Sequence, residues 1–152
     1  MTAGIDSQLC FALYSASRAM TAAYRPILAE LDLTYPQYLV LLVLWEEERR
    51  AEDGVTVRRL GDRLHLDSGT LSPLLKRLEA NGLVRRTRSC EDERVVVVTL
   101  TSAGRRLEEK AQCIPGRLGA AIGFTEKQAA DLRDAVRQLT DALDASTERE
   151  LT

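Results

Sequence analysis

The segment from Thr56 to Leu100 constrains the fold of this chain more than any other: two short helical patterns precede two β-rich runs that flank a charged turn, Ser89-Cys90-Glu91-Asp92-Glu93-Arg94. Thr56 stands where an N-cap belongs before Val57 to about His65, in which Val57, Leu60 and Leu64 recur at spacings of three and four. A turn at Leu66-Asp67 leads to a second helix from Ser68 to about Asn81, closed by Asn81-Gly82, residues suited to left-handed backbone. Leu83 to Arg88 and Val95 to Leu100 then read as the two strands of a hairpin. Helix, turn, helix and β-ribbon is the order of a winged helix-turn-helix, which lays its second helix in the DNA major groove and its hairpin on flanking backbone or minor groove. The expected fold class is therefore mainly α with a small β-hairpin wing, and the expected partner is double-stranded DNA.

The flanking segments carry apolar stripes. Asp6 to about Leu31 reads as a helix with Leu9, Leu13, Ala16, Met20 and Ala23 on one side and Pro26 bending it. Leu33-Thr34-Tyr35-Pro36 opens a second helix, apolar nearly all round through Trp45, which belongs at the centre of the domain. Thr101 starts a long helix that Pro115, Gly116, Gly119 and Gly123 should bend or break. Thr125-Glu126-Lys127-Gln128 is a capping box for a last helix, striped by Leu132, Val136, Leu139 and Leu143. A chain of 152 residues fits one domain, residues 1–152, too small to cover all these stripes by itself. Residues 5–45 and 101–152 are thus expected to build a homodimer around the module at 55–100, and two-fold symmetry suits a palindromic operator.

Charge supports a nucleic-acid partner only through its distribution. The formal net charge is −2, yet Val55 to Lys110 holds 12 Lys and Arg against 8 Asp and Glu, leaving acidic ends around a basic middle. The longest apolar run, Tyr38 to Trp45, is far short of the roughly 20 residues a membrane span needs. The N-terminus lacks a signal-peptide pattern, so a cytoplasmic protein without membrane contact is expected. Three widely spaced cysteines and one histidine match neither a disulfide framework nor a zinc ligand set, and no cofactor motif is present.

On the second helix of the module, Leu71, Leu74, Leu75 and Leu78 should face inward, and Gly69, Ser72, Pro73, Lys76 and Arg77 outward. Asp67, Ser68 and Thr70 sit at its start, the end that reaches base edges, while Lys76 and Arg77 lie further along, placed for phosphates. Pro73 removes a backbone bond to Gly69 and would ordinarily cost about 3 kcal/mol inside a helix. In the wing, Asp92 is placed to pair with the Arg94 guanidinium, and Arg86 and Arg88 add charge on the partner strand. An arginine at a wing tip suits the minor groove, where the potential is most negative. An ordinary polar helix and a solvated turn would share many of these features.

Thr56-Val57-Arg58-Arg59-Leu60-Gly61-Asp62-Arg63-Leu64, Leu78-Glu79-Ala80-Asn81-Gly82-Leu83-Val84-Arg85-Arg86, Asp92-Glu93-Arg94 and Leu100-Thr101-Ser102-Ala103-Gly104 together resemble the MarR family of dimeric winged-helix regulators, over nearly the whole chain. Cys10-Phe11-Ala12-Leu13-Tyr14, Tyr24-Arg25-Pro26, Leu33 to Trp45, and Leu66 to Leu75 with its awkward proline resemble its OhrR branch, whose members sense organic hydroperoxides.

Cys10 lies near the start of the first helix, where the positive end of the helix dipole favours a thiolate and Asp6 opposes it. A peroxide converts a thiolate to sulfenic acid, which a second thiol captures as a disulfide. By residues alone, each cysteine is as readily a small buried hydrophobe. The resemblance implies more: Cys10 is hydrogen-bonded by the hydroxyls of Tyr24 and Tyr35 of the other subunit, oxidation breaks that contact, and Cys113 acts as the resolving thiol of the two-cysteine subtype. Cys90 matches no position of that pattern and reads as an exposed bystander, and Tyr14 fits either the thiol pocket or the core.

The resulting expectation is a repressor, not an enzyme, that leaves its operator when an organic hydroperoxide oxidises Cys10 and Cys113 completes an intersubunit disulfide. Two rivals stand beside it. A thiol peroxidase would use the same chemistry but leave the reader module unexplained, and a regulator released by a small aromatic ligand would leave the cysteines inert.

Overall fold

A computed structural model describes residues 4–52 and 54–150, with side-chain surroundings defined through residue 146. It divides into two compact units, Met1–Gln112 and Cys113–Thr152. The first begins with a 3-10 turn, Ile5–Ser7, before helix α1, Leu9–Ala29. The expected helix start at Asp6 is thus corrected to Leu9. The Ser7 hydroxyl donates to the Gly4 carbonyl at 2.7 Å, a local bond that competes with helix, and Gln8 adopts extended backbone as the N-cap. Pro26 lies in the last turn of α1, which continues through it.

Helix α2, Tyr35–Arg49, is the centre of the unit, as its all-round apolar pattern predicts: Tyr38, Val40, Leu41, Val43, Leu44 and Trp45 are buried. Thr34 is its N-cap, the Thr34 N–H donates to the Gln37 Oε1 at 2.9 Å, and Pro36 occupies the first turn. Strand β1, Val55–Thr56, escaped the sequence reading because two residues carry no periodicity. Helix α3, Val57–Leu64, follows, capped by the Thr56 hydroxyl accepting from the Arg59 N–H at 3.1 Å and closed by His65 at φ 52°. Helix α4, Ser68–Ala80, buries Leu71, Leu75 and Leu78 and leaves Leu74 half-buried. Pro73 is accommodated because the carbonyl it orphans belongs to Gly69, an exposed residue open to solvent.

Strands β2, Val84–Arg88, and β3, Val96–Leu100, form the expected hairpin. β3 is the middle strand of an antiparallel sheet ordered β1-β3-β2, with Val55 opposite Val98 and Val84 opposite Leu100. Helix α5, Ser102–Ala111, is joined to this sheet by backbone contact. The Thr101 hydroxyl donates to the Gly82 carbonyl at 2.6 Å and accepts from the Gly104 N–H at 3.1 Å. The Trp45 indole N–H donates to the Gly104 carbonyl at 3.0 Å, tying α2 to α5. A Cβ on Gly104 would stand 2.1 Å from the Leu83 carbonyl oxygen, so only glycine permits this approach.

In the second unit, α6 spans Ile114–Ile122 and α7 spans Glu126–Glu150. The long helix expected from Thr101 is interrupted at Gln112 and Cys113, ahead of Pro115, as the proline position predicts. The Thr125 capping box is present in both directions: the Thr125 N–H donates to the Gln128 Oε1 at 2.9 Å, and the Gln128 N–H to the Thr125 hydroxyl at 3.2 Å. Among the described residues no helix is long and apolar enough to cross a membrane.

Candidate nucleic-acid interface and thiol site

The geometry of the reader starts at its cap. The Asp67 carboxylate accepts from the Thr70 N–H at 2.9 Å and from the Thr70 hydroxyl at 2.8 Å, and these bonds hold its pKa below the usual carboxylate range. Asp67 and Thr70 therefore fix the first turn of α4 against each other, and Ser68, next to them, is exposed. Lys76 and Arg77 are exposed further along the helix.

Ser68 and half-buried Ser72 line an open cleft of about 740 Å³, walled by α3, α4 and the start of β3. Arg86 and Arg94 line it from the wing side, and Arg58 from α3. Four of the predicted reader residues, Ser68, Ser72, Arg86 and Arg94, thus meet at one place.

Their charges are not equivalent. The Arg86 guanidinium donates through Nε to the Glu79 Oε2 at 2.8 Å, while the Arg86 N–H donates to Oε1 at 2.9 Å, so this arginine staples β2 to α4. The same contacts lower the Glu79 pKa, the backbone bond contributing most. In the turn, the expected ion pair between Asp92 and the Arg94 guanidinium is corrected. The Asp92 Oδ1 accepts from the Arg94 backbone N–H at 2.9 Å. A carboxylate two residues ahead reaches the main chain of a tight turn more readily than the end of a long side chain, so Asp92 shapes the turn and the Arg94 side chain stays exposed.

A buried carboxylate behind α3 had no sequence signal beyond its charge. Glu47, 1% exposed, accepts from Arg59 Nη2 and Arg63 Nη1, both at 2.7 Å, and pairs with Arg50 at 3.3 Å. Glu46 takes Arg63 and Arg50 at 2.7 Å each, and the Arg63 guanidinium holds its carboxyl below the usual range. The spacing Arg59 to Arg63, one helical turn, was the only clue that both arginines serve one partner.

The expected thiol site is not assembled within one chain. Cys10 is the second residue of α1, in the first turn, and is exposed. Tyr24, on the same helix, packs against Tyr35 of α2 with the rings tilted by 36° and their centroids 4.8 Å apart, and its ring lies 5.8 Å from that of Tyr38. Both Tyr24 and Tyr35 have raised pKa values, chiefly from burial, with the charge of Tyr35 adding to Tyr24. They are neutral phenols at physiological pH and so hydrogen-bond donors. Fourteen residues of continuous helix separate Cys10 from Tyr24, about 21 Å along the axis at 1.5 Å per residue, so a chain cannot bring its own Cys10 to its own Tyr24. Cys113, in the second unit, stands at the N-cap position of α6 and is exposed, as is Cys90 in the wing turn. Tyr14 is 57% exposed, its ring 6.4 Å from Phe11 and beneath the Arg18 guanidinium, so it is not a core residue of this chain.

Known proteins place this architecture. Residues 22–111 match the family model described as transcriptional regulator SarA/Rot. The organic hydroperoxide resistance transcriptional regulator of Bacillus subtilis (strain 168) is 49% identical over 91% of this chain and 86% of its own length. The HTH-type transcriptional regulator TtmR of Methylorubrum extorquens (strain PA1) is 53% identical over 93% of this chain and 70% of its length. The reduced, DNA-bound structure of AbfR, from Staphylococcus epidermidis, superposes with a TM-score of 0.72 at 34% identity, covering 91% of this chain and 94% of the other. With the winged module, the matched segment and this identity along nearly all its length, the chain belongs to the SarA/Rot family of MarR-like, DNA-binding winged-helix transcriptional regulators.

Proposed function

We propose that this regulator is a homodimeric repressor that holds a palindromic operator while Cys10 is reduced and releases it when an organic hydroperoxide oxidises that thiol. The observation that carries the reading is the separation of Cys10 from a half-buried pair of neutral phenols, Tyr24 at the far end of the same helix and Tyr35 at the start of α2. Phenol O–H groups are suited to donate to a thiolate, and in this fold only a second chain can deliver Cys10 to Tyr24 and Tyr35. The hydroperoxide name of the Bacillus relative supports the same chemistry.

The thiolate sulfur attacks the terminal oxygen of the hydroperoxide, the O–O bond breaks, sulfur becomes sulfenic acid, and the departing alkoxide takes a proton from water to leave as alcohol. A sulfenic acid no longer accepts both phenol protons as a thiolate does, so the contact between chains is lost. The thiol of Cys113 then displaces water to form an intersubunit disulfide, and a cellular thiol restores the reduced state. In this reading residues 1–152 act as one domain, with 5–45 and 101–152 as the dimer-forming helices and 55–100 as the reader. Ser68, Thr70, Ser72, Lys76, Arg77 and Arg94 face DNA, with Asp67, Arg86 and Asp92 holding the reader and wing in shape, and the protein works in the cytoplasm.

Operator affinity measured before and after stoichiometric cumene hydroperoxide tests the switch. Wild type should lose binding and Cys10→Ser should keep it; equal loss in both would remove Cys10 as the sensor. A non-reducing gel of oxidised protein should show a linked dimer that Cys113→Ser abolishes, and a linked dimer that persists in Cys113→Ser would remove Cys113 as the resolving thiol.

A further inference from the structure

Helix α3 begins Val57-Arg58-Arg59 and carries Arg63 one turn later, three cations on eight residues. The fold divides them. Arg59 and Arg63 turn back onto Glu47 and Glu46, where their charges are neutralised at 2.7 Å. Arg58, exposed, instead lines the cleft shared by Ser68 and Ser72 of α4 and by Arg94 in the wing turn just before β3. Arg86, the other cation of that cleft, is committed to Glu79.

A duplex read by a helix in the major groove and a hairpin in the minor groove imposes a geometric condition. One sugar-phosphate strand separates those two grooves, so it must cross between α4 and the wing, over this cleft. We infer that Arg58 is a phosphate-binding residue, the α3 wall of a clamp whose wing wall is Arg94. The Asp62 carboxylate lines the same cleft one turn after Arg58 and opposes an anion there, which leaves the guanidinium of Arg58 as the group on α3 able to hold one. Ser68 and Ser72 offer hydroxyls to the same strand or to the bases beside it. This assignment rests on the DNA-reader reading of the module and adds a contact on the first helix of the motif.

A phosphate contact carries no sequence information, and its loss has a distinct signature. Binding of the full-length reduced protein to a duplex from its own upstream region and to an unrelated duplex of equal length is measured across a salt series. Arg58→Gln should weaken both by the same factor and reduce the slope of log affinity against log salt by about 0.9 for each subunit bound. Arg58→Lys should keep the slope. Arg106→Gln, which removes one exposed charge from α5 outside the cleft, should leave it near the wild-type value. An unchanged slope in Arg58→Gln, an equal drop in Arg106→Gln, or a loss confined to the upstream duplex would each overturn the assignment. Absence of salt-dependent binding in the wild type would instead overturn the reader reading itself.

Discussion

Asp67 and Tyr24 show how single side chains set the chemistry around them. Asp67 is fully exposed, yet two bonds from Thr70 fix the start of the reader helix and lower its pKa. A depressed folded-state pKa adds stability that is present above the unfolded value, near 3.8, and lost as pH falls through the folded one. Asp67→Ala should therefore unfold at lower denaturant than wild type at pH 7, and the gap should close in acid below the carboxylate range. Tyr24 and Tyr35 have the opposite sign. Their folded-state values lie above the ordinary 10.0, so their contribution is intact below pH 10 and lost as pH rises through the folded values. Wild type should lose stability above about pH 10 in urea titrations, and Tyr24→Phe should lose less.

Elements are held to one another by a few contacts that local patterning does not encode. α3 is clamped to α2 through one buried carboxylate, Glu47, with Arg50, Arg59 and Arg63 around it. Removing it leaves Arg59 without its carboxylate while Arg50 and Arg63 keep Glu46, and Arg59 is 46% exposed, so water recovers part of the loss. Glu47→Ala should thus cost on the order of 2 kcal/mol, below the range for a fully buried pair, and weaken DNA binding by letting α3 shift. Gly104 is a sharper case. A methyl group there meets the Leu83 carbonyl oxygen at 2.1 Å, and that oxygen belongs to backbone already hydrogen-bonded to Thr101. Gly104→Ala should destabilise by about 3 kcal/mol, the upper end for overpacking, as read by chemical denaturation.

On the scale of the molecule, most of the exposed large apolar side chains among the described residues fall toward the chain ends, with Leu42 of α2 an exception. Ile5, Leu9 and Met20 on the N-terminal segment, and Leu132, Val136 and Leu143 on α7, are 38% to 61% exposed. All but Ile5 belong to the stripes that helical spacing identified, and the homodimer proposed above would give them a partner. Leu132→Glu combined with Val136→Glu should shift sedimentation toward the monomer while far-UV circular dichroism keeps its helical signal. A dimer unchanged by the pair would exclude α7 from the interface.

Local order was legible in the residues wherever a short-range rule governs it. Thr34, Thr56 and Thr125 announce helix starts because a hydroxyl finds the backbone donors within three residues, and the alternation around Ser89 to Arg94 announces a hairpin. The winged module and its reader helix follow from such signals, whereas roles for the cysteines came only with the family resemblance. What tertiary structure alone decided is which charges remain available. Glu47 meets Arg59 twelve residues on and Glu79 claims Arg86, while Arg58 is left facing the cleft and Asp92 turns to the main chain. Charge attracts without regard to sequence distance, so which partner an arginine takes depends on where the packing of α2, α3, α4 and the wing has placed the carboxylates.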